Sequence, residues 1–367
     1  MHISIVGGTG SVGALFTRNL LNAGQNITAI GSGQSQHYTH IISHGLKIKD
    51  SEGVSLIPAD KFSSRLSQDH SQDLVIVSVK QPNLNTMLMQ DILGSIANNS
   101  IIAVNSNGLP FYFLNNLNIS GKTHLQSVDP NGNLQKATSH HCIVGVVPII
   151  AACIPEPGTV EITRPIAKIS ITVGIHKNND NCDINKVKHF VNILHHTGLN
   201  TYFTEYNLHL EIIKKEQFAL SILTQSALFN KTLGEIYDGA IYQLFIRYSA
   251  TLVNNISLLL KIGGLRSYEE IKAIPITKDH YASLAKDINE AKTSEINAIV
   301  GTIIELADYF NITCISPIKM IQDLLLQRIE GYVITVDQTK TLQESSEQCL
   351  VEITTTVGNQ YSSHDEL

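Results

Sequence analysis

The chain has 367 residues, 43% of them hydrophobic and 16% charged, which is ordinary globular composition with room for two domains. Its 26 Lys and Arg against 32 Asp and Glu leave a net charge of −6 and no long basic run. That balance excludes nucleic acid and anionic membrane as expected partners.

Residues 2–6 (His-Ile-Ser-Ile-Val) read as a short strand. Gly7-Gly8-Thr9-Gly10-Ser11-Val12-Gly13 follows, and then Leu15, Phe16, Leu20 and Leu21 recur at helical spacing until Gly24 stops the helix. Further strands are predicted over residues 27–30, 74–79 and 101–104. The alternation predicts an α/β fold with a parallel sheet covered by helices.

Residues 142–175 are strand-rich, with a turn at Pro157-Gly158. A helix over 183–195 and a strand over 201–203 follow. Beyond about residue 206 the pattern is helical: residues 208–233, 241–261, 281–310 and 317–329 each read as a long segment. The expected division is therefore a Rossmann-like dinucleotide-binding domain over 1–205, an all-α domain over 206–330, and a polar appendage over 331–367, partly disordered.

The five cysteines (Cys142, Cys153, Cys182, Cys314 and Cys349) are odd in number and scattered, and read as reduced thiols of a cytoplasmic protein. The first residues read as a strand and not as a secretion signal. The most apolar run, residues 142–155, is too short to cross a bilayer. The terminal His364-Asp365-Glu366-Leu367 matches an ER-retention address, but with no signal sequence to use it the match is read as accidental. No histidine pair is set with carboxylates at a metal-binding spacing, so no metal is expected.

Gly8, Gly10 and Gly13 form a GxGxxG between a strand and a helix. In that setting the glycines allow a tight turn, a close approach of backbone to a pyrophosphate, and close packing of helix on strand. The helix start adds partial positive charge, with Thr9, Ser11 and Val12 completing the loop. At the end of the second strand, Ile30-Gly31-Ser32-Gly33-Gln34-Ser35 carries neither the acid that would hold a ribose 2′-hydroxyl nor an arginine for a 2′-phosphate. Ser32, Ser35 and His37 are left as phosphate donors. The missing acid points to NADPH, with NADH as the alternative.

Lys80 ends one predicted strand and Asn105-Ser106-Asn107-Gly108 ends the next, where open α/β sheets present ligand-facing groups. Lys215 lies early in a helix, and Ser283 precedes Glu295 by twelve residues. This set, over about residues 1–329, resembles the ketopantoate reductases. The resemblance implies a Rossmann domain joined to a helical domain of the 6-phosphogluconate dehydrogenase type, with the active site in the cleft between them. It further implies that Lys215 is the general acid, that Glu295 holds the substrate hydroxyl or orients Lys215, and that Ser283 contacts the substrate carboxylate. Asn107 and Lys80 would line the cofactor and substrate site. The partner would be a small 2-keto acid, with the oligomeric state left open, a homodimer included.

Several positions depart from that family. Asparagines are common four and eight residues after its catalytic lysine, where this chain has Ala219 and Leu223. An arginine usually stands at Ser32 and a glutamine at Ser106, and the glycine loop is one residue longer. The expected function is NADPH-dependent reduction of ketopantoate to pantoate. The alternatives are reduction of a more apolar 2-keto acid, or a non-catalytic cofactor-binding sensor.

Overall fold

The computed structural model describes residues 1–117, 119–175, 182–292 and 294–362, so the terminal His364-Asp365-Glu366-Leu367 lies outside it. The chain divides into two compact units, Met1–Ser106 with Gly132–Leu208, and Asn107–Asn131 with His209–Leu367.

Among the described residues the first unit holds twelve strands: β1 (His2–Val6), β2 (Asn26–Ile30), β3 (Leu46–Asp50), β4 (Gly53–Ile57), β5 (Phe62–Ser63), β6 (Gln72–Val77), β7 (Ile96–Asn105), β8 (Cys142–Ile149), β9 (Ala152–Glu156), β10 (Thr159–Ile162), β11 (Ser170–Ile175) and β12 (Asn200–Thr204). Its helices are α1 (Ser11–Asn22), α2 (Gln36–His44), α3 (Thr86–Ser95), α4 (Asn133–Thr138) and α5 (Ile184–His196). Eight strands form one sheet in the order β12-β11-β8-β7-β6-β1-β2-β5. All neighbours are parallel except β8 and β11. Its central strands are near-continuous apolar runs because both faces are covered: Leu74, Val75, Ile76 and Val77 of β6 are fully buried, as are Ile3 and Ile5 of β1. The strand order turns back between β1 and β6, so the carboxyl ends of these two strands form the switch point where such sheets bind ligands.

A second sheet, β4-β3-β10-β9, stands beside the first. The sequence signal for it is slight. Leu46 and Ile48 alternate with charged Lys47 and Lys49, and β3 finds its parallel partner more than a hundred residues on, pairing Lys47 with Thr159. Arg18 of α1 makes a shielded ion pair with Asp50 at the end of β3.

Two of the five cysteines expected as reduced thiols are paired. Cys142, at the start of β8, forms a disulfide with Cys182, just before α5, while Cys153, Cys314 and Cys349 are free. An odd count requires only one unpaired cysteine, and the contact of two elements forty residues apart brings these two together.

The second unit is helical: α6 (Leu208–Phe218, whose first residue counts with the other unit), α7 (Thr224–Phe229), α8 (Leu233–Asp238), α9 (Ala240–Leu259), α10 (Tyr268–Lys272), α11 (Ser283–Asn289), α12 (Thr302–Tyr309), α13 (Ser316–Ile329) and α14 (Val336–Ser362). It also takes in residues 107–131, whose buried run Leu109, Phe111, Tyr112, Phe113 and Leu114 needs an apolar neighbourhood. The polar tail is not an appendage. Leu342, Ser346, Cys349 and Ile353 form a buried stripe at helical spacing on α14, which packs against α9 and α13. Surface Ser, Thr and Gln hid that spacing.

The predicted helices over 208–233 and 281–310 are each interrupted. In the first, a π-turn at Ala219–Leu223 joins α6 to α7; in the second, α11 ends at Asn289, and a π-turn at Asn297–Gly301 leads into α12. No helix among the described residues is long and apolar enough to cross a membrane.

Candidate active site

The glycine loop lies at the switch point of the first unit. Gly7, not Gly8, takes the left-handed conformation, with φ 80°, and a Cβ there would meet the Ser78 carbonyl at 2.5 Å. A Cβ on Gly13 would lie 2.1 Å from the Gly7 oxygen, so α1 starts directly against the turn. Gly10 is the N-cap of α1, and the first turn carries neither a side-chain cap nor an acidic residue. Its amides and the helix dipole thus face a position suited to a phosphate group. Thr17, fully buried, donates to the carbonyls of Gly8 and Gly13 and ties the loop to the helix. These residues fit a dinucleotide pyrophosphate.

Near the loop, Ser32 is exposed and its carbonyl accepts from Ser35, whose hydroxyl caps α2. His37, expected as a phosphate donor, has Nε2 2.8 Å from the Thr9 carbonyl and Nδ1 3.0 Å from the Gly158 amide. Lys80 follows β6, half-buried, before a 3-10 turn at Gln81–Asn83. Asn105, at the end of β7, donates to Ser78.

In the second unit, Lys215 sits near the end of α6 and Glu295 in the break before the second π-turn. Burial pushes the Lys215 ammonium down to about 8, against the upward pull of the Glu295 and Glu216 carboxyls. Glu295 is 6% exposed and receives the Asn107 side-chain amide at 2.8 Å and the Asn107 backbone amide at 3.4 Å. Gly108, with φ 77°, lets the chain lie on the π-turn: a Cβ would come within 2.3 Å of the Ala298 carbonyl, and the Leu109 amide donates to that oxygen at 3.0 Å. The two π-turns pack on each other. Each lies just past one of the paired charged residues, a placement common at functional sites.

Lys215, Glu295 and Asn107 are thus brought together. Ser283 opens α11, exposed, with its neighbours Ala282 and Leu284 buried. Ala219 is buried in the first π-turn, and Leu223, half-buried, ends it. The Thr224 amide bonds to the Ala219 carbonyl five residues back, so the turn holds one extra residue. The α-helical spacing that set Leu223 two turns beyond Lys215 therefore does not hold, and Thr224 takes that station.

Sequence reading missed Glu216. In Lys214-Lys215-Glu216 it looks like one of three solvated charges. It is 1% exposed, and neither carboxyl oxygen has a hydrogen-bond partner. Burial raises it well above the usual carboxylate range, with Lys215 pulling down and Glu295 pushing up.

Residues 3–177 match the family model described as Ketopantoate reductase PanE/ApbA. Through that segment, a little under half of the chain, the chain is similar to the ketopantoate reductase family. The family's members are NAD(P)H-dependent 2-keto acid reductases. The fold agrees along most of the chain. The provisionally named ketopantoate reductase from Ralstonia solanacearum MolK2 superposes with a TM-score of 0.77 at 21% identity, over 90% of this chain and 98% of that one. A D-mandelate dehydrogenase solved with NADH and anilino(oxo)acetate gives 0.72 at 18%, over 90% and 98%. The 2-dehydropantoate 2-reductase from Geobacter metallireducens GS-15 gives 0.68 at 18%, over 89% and 99%. A sequence search among curated proteins returns no match.

Proposed function

We propose that this protein is a ketopantoate reductase that reduces a small 2-keto acid with NADPH, and that its substrate is ketopantoate, converted to pantoate for pantothenate synthesis. The observation that carries the reading is the shielded Lys215 ammonium beside a carboxylate that Asn107 holds by two N–H groups.

A bound nicotinamide supplies the hydride. Addition to the keto carbon builds negative charge on its oxygen, and Lys215 both stabilises that charge and delivers the proton from Nζ. With a pKa of about 8, Lys215 is mostly protonated at neutral pH and still a ready donor. Glu295 keeps the ammonium in place and accepts from the substrate hydroxyl. Ser283 meets the substrate carboxylate and Asn107 completes the lining on the helical unit, while Lys80 serves at the strand ends of the cofactor-binding unit. Gly8, Thr9, Gly10, Ser11, Val12 and Gly13 cradle the pyrophosphate, and Ser32 lies toward the adenosine ribose.

A second reading keeps the chemistry and changes the substrate. Buried Ala219 offers no hydrogen bond where the family commonly has an asparagine, and half-buried Leu223 adds a further apolar side chain to the same turn, which favours a more apolar keto acid. The likeness to a D-mandelate dehydrogenase solved with anilino(oxo)acetate and NADH supports that substrate class, and NADH beside NADPH. A cytoplasmic location remains the proposal from composition. The Cys142–Cys182 disulfide bears against a reducing compartment, and a thiol count on protein from its native cells, three free against five, decides it.

The test is NADPH oxidation with ketopantoate by wild type and Lys215→Ala. Turnover that collapses in the variant supports both substrate and acid. NADPH binding without ketopantoate turnover overturns the substrate and sends the enzyme to apolar keto acids; no turnover of any keto acid leaves a sensor.

A further inference from the structure

We infer that His37 is a positioning residue for the dinucleotide loop, bracing Thr9 in place and making no contact with the cofactor's 2′-phosphate. The inference rests on the cofactor reading above.

The loop is one residue longer than the family's usual form, and Thr9 lies between Gly8 and Gly10. A longer loop has more conformations to lose when its amides are aimed at a phosphate, so its fixed points matter. Thr9 has two of them, both supplied by the first turn of α2. Its side chain, 7% exposed, packs over Gly31 beside Tyr38; a Cβ on Gly31 would come within 2.4 Å of the Tyr38 ring and 2.7 Å of the Thr9 methyl. Its carbonyl lies 2.8 Å from His37 Nε2.

The second nitrogen of His37 settles the direction of that bond. The Gly158 amide can only donate, so Nδ1, 3.0 Å away, is the acceptor. The imidazole is therefore the neutral tautomer with its proton on Nε2, and Nε2–H donates to the Thr9 carbonyl. Gly158 is itself anchored: the Lys47 amide of β3 donates to its oxygen at 2.9 Å. Its φ of 77° and the His40 ring, which a Cβ there would strike at 1.9 Å, fit this turn closely to α2. A continuous hydrogen-bonded line thus runs from the small sheet through Gly158 and His37 to the cofactor loop. With both ring nitrogens engaged, His37 has no N–H left for a phosphate.

A brace and a phosphate contact predict different losses. The pyrophosphate is common to NADH and NADPH, so a slack loop weakens both alike. A 2′-phosphate contact would weaken NADPH alone. The experiment is calorimetric titration of NADH and NADPH into wild type, His37→Ala and His37→Gln, with a 15N spectrum of the wild-type imidazole. His37→Ala is expected to raise both dissociation constants by a common factor of about tenfold, the scale of one lost hydrogen bond. Gln, with one donor and one acceptor, is expected to recover part of it. The ring is expected as the Nε2–H tautomer, unchanged by either dinucleotide. A loss confined to NADPH, unchanged affinities, or a ring protonated on Nδ1 overturns the inference. If His37→Ala does not fold, the Gln titration and the ring spectrum decide it. A wild type that binds neither dinucleotide overturns the cofactor reading, and the ring spectrum then tests the brace to Thr9 by itself.

Discussion

Asn107 presents both its side-chain and its backbone N–H to one carboxylate, that of Glu295, across 188 residues of sequence. A carboxylate held this way is fixed in orientation and has fewer rotamers to lose when a substrate arrives. Asn107→Ala is expected to lower kcat/KM by about 10- to 100-fold, as for a lost supporting hydrogen bond in an active site. Asn107→Asp is expected to be worse, because it sets a second negative charge against Glu295. Steady-state kinetics of the two variants make the check; equal and full activity would remove Asn107 from the site.

Glu295 also acts on Lys215 at a distance, through charge. It pulls the Lys215 pKa up against the burial that lowers it to about 8. A general acid works only while protonated, so activity is full below that value and falls about tenfold per pH unit above it. In Glu295→Gln the upward pull is gone, and the alkaline limb of kcat is expected to move to lower pH. An unmoved limb would mean that another group titrates there. This readout separates a charge effect from simple damage to the fold, which lowers the rate without moving the limb.

Gly108 is the hinge that makes the Asn107 contact possible. Its left-handed backbone and its closeness to Ala298 leave no room for a Cβ, which would lie 2.3 Å from the Ala298 carbonyl carbon. Gly108→Ala is expected to cost about 2 kcal/mol or more in folding free energy, seen as a lower urea midpoint. Because Asn107 and Leu109 flank the strained position, kcat should fall as well. A variant as stable as wild type would show that the Ala298 packing is loose.

Much of the fold is legible in local pattern. β1, the glycine loop and α1 appear where strand, glycine and helix signals adjoin, and β6 and β7 follow as apolar runs bounded by polar turns. The remainder depends on distant partners. β3 acquires its sheet only by pairing with β10, and Cys142 its disulfide only when α5 docks. Residues 107–131 join the helical unit through a dense aromatic run that has no helical period. The spacing of Lys215, Ser283 and Glu295 was readable as a resemblance, but the π-turns beyond Lys215 and Glu295 were not. A π-turn needs one extra residue in one turn, and the hydrophobic pattern passes through it almost unchanged. Charge carries no burial label either, which is why Glu216 looked like a surface residue.

Glu305 shows the same effect with a satisfied carboxylate. Its oxygens accept from Lys122 Nζ at 2.8 Å, from the Gln126 amide at 2.8 Å, and from the Ser127 amide and hydroxyl at 2.9 and 2.8 Å. Burial alone would raise its pKa, but these donors together outweigh burial and lower it. The stability it contributes is present above the ordinary carboxylate pKa and is lost as pH falls through the lower, folded value. Glu305→Gln keeps the shape and drops the charge. It is expected to lose about 1–3 kcal/mol at neutral pH and nearly nothing at strongly acidic pH, by urea titration at both. An equal loss at the two pH values would show that packing, and not the charge, is what Glu305 supplies.

Glu216 should behave in the opposite sense. Buried and unpartnered, its carboxyl is held as the neutral acid to higher pH than in the unfolded chain. Below the ordinary carboxylate range, about 4, both states are protonated and the stability is fully present. As pH rises, the unfolded chain ionises first, and stability declines until the raised folded pKa is passed. Glu216→Leu removes both the titration and the unpaired oxygens, so it is expected to gain about 1–3 kcal/mol near neutral pH and to flatten the stability–pH curve above 5. Its effect on catalysis runs through Lys215. Glu216 pulls the ammonium up, so without it the alkaline limb of kcat should shift to lower pH while the maximal rate stays within a few fold. Urea titrations from pH 5 to 8 and a pH–rate profile on the same variant read both effects. A destabilised Glu216→Leu would mean that its carboxyl has bound water as a partner, and a collapsed maximal rate would place it among the groups that move the proton.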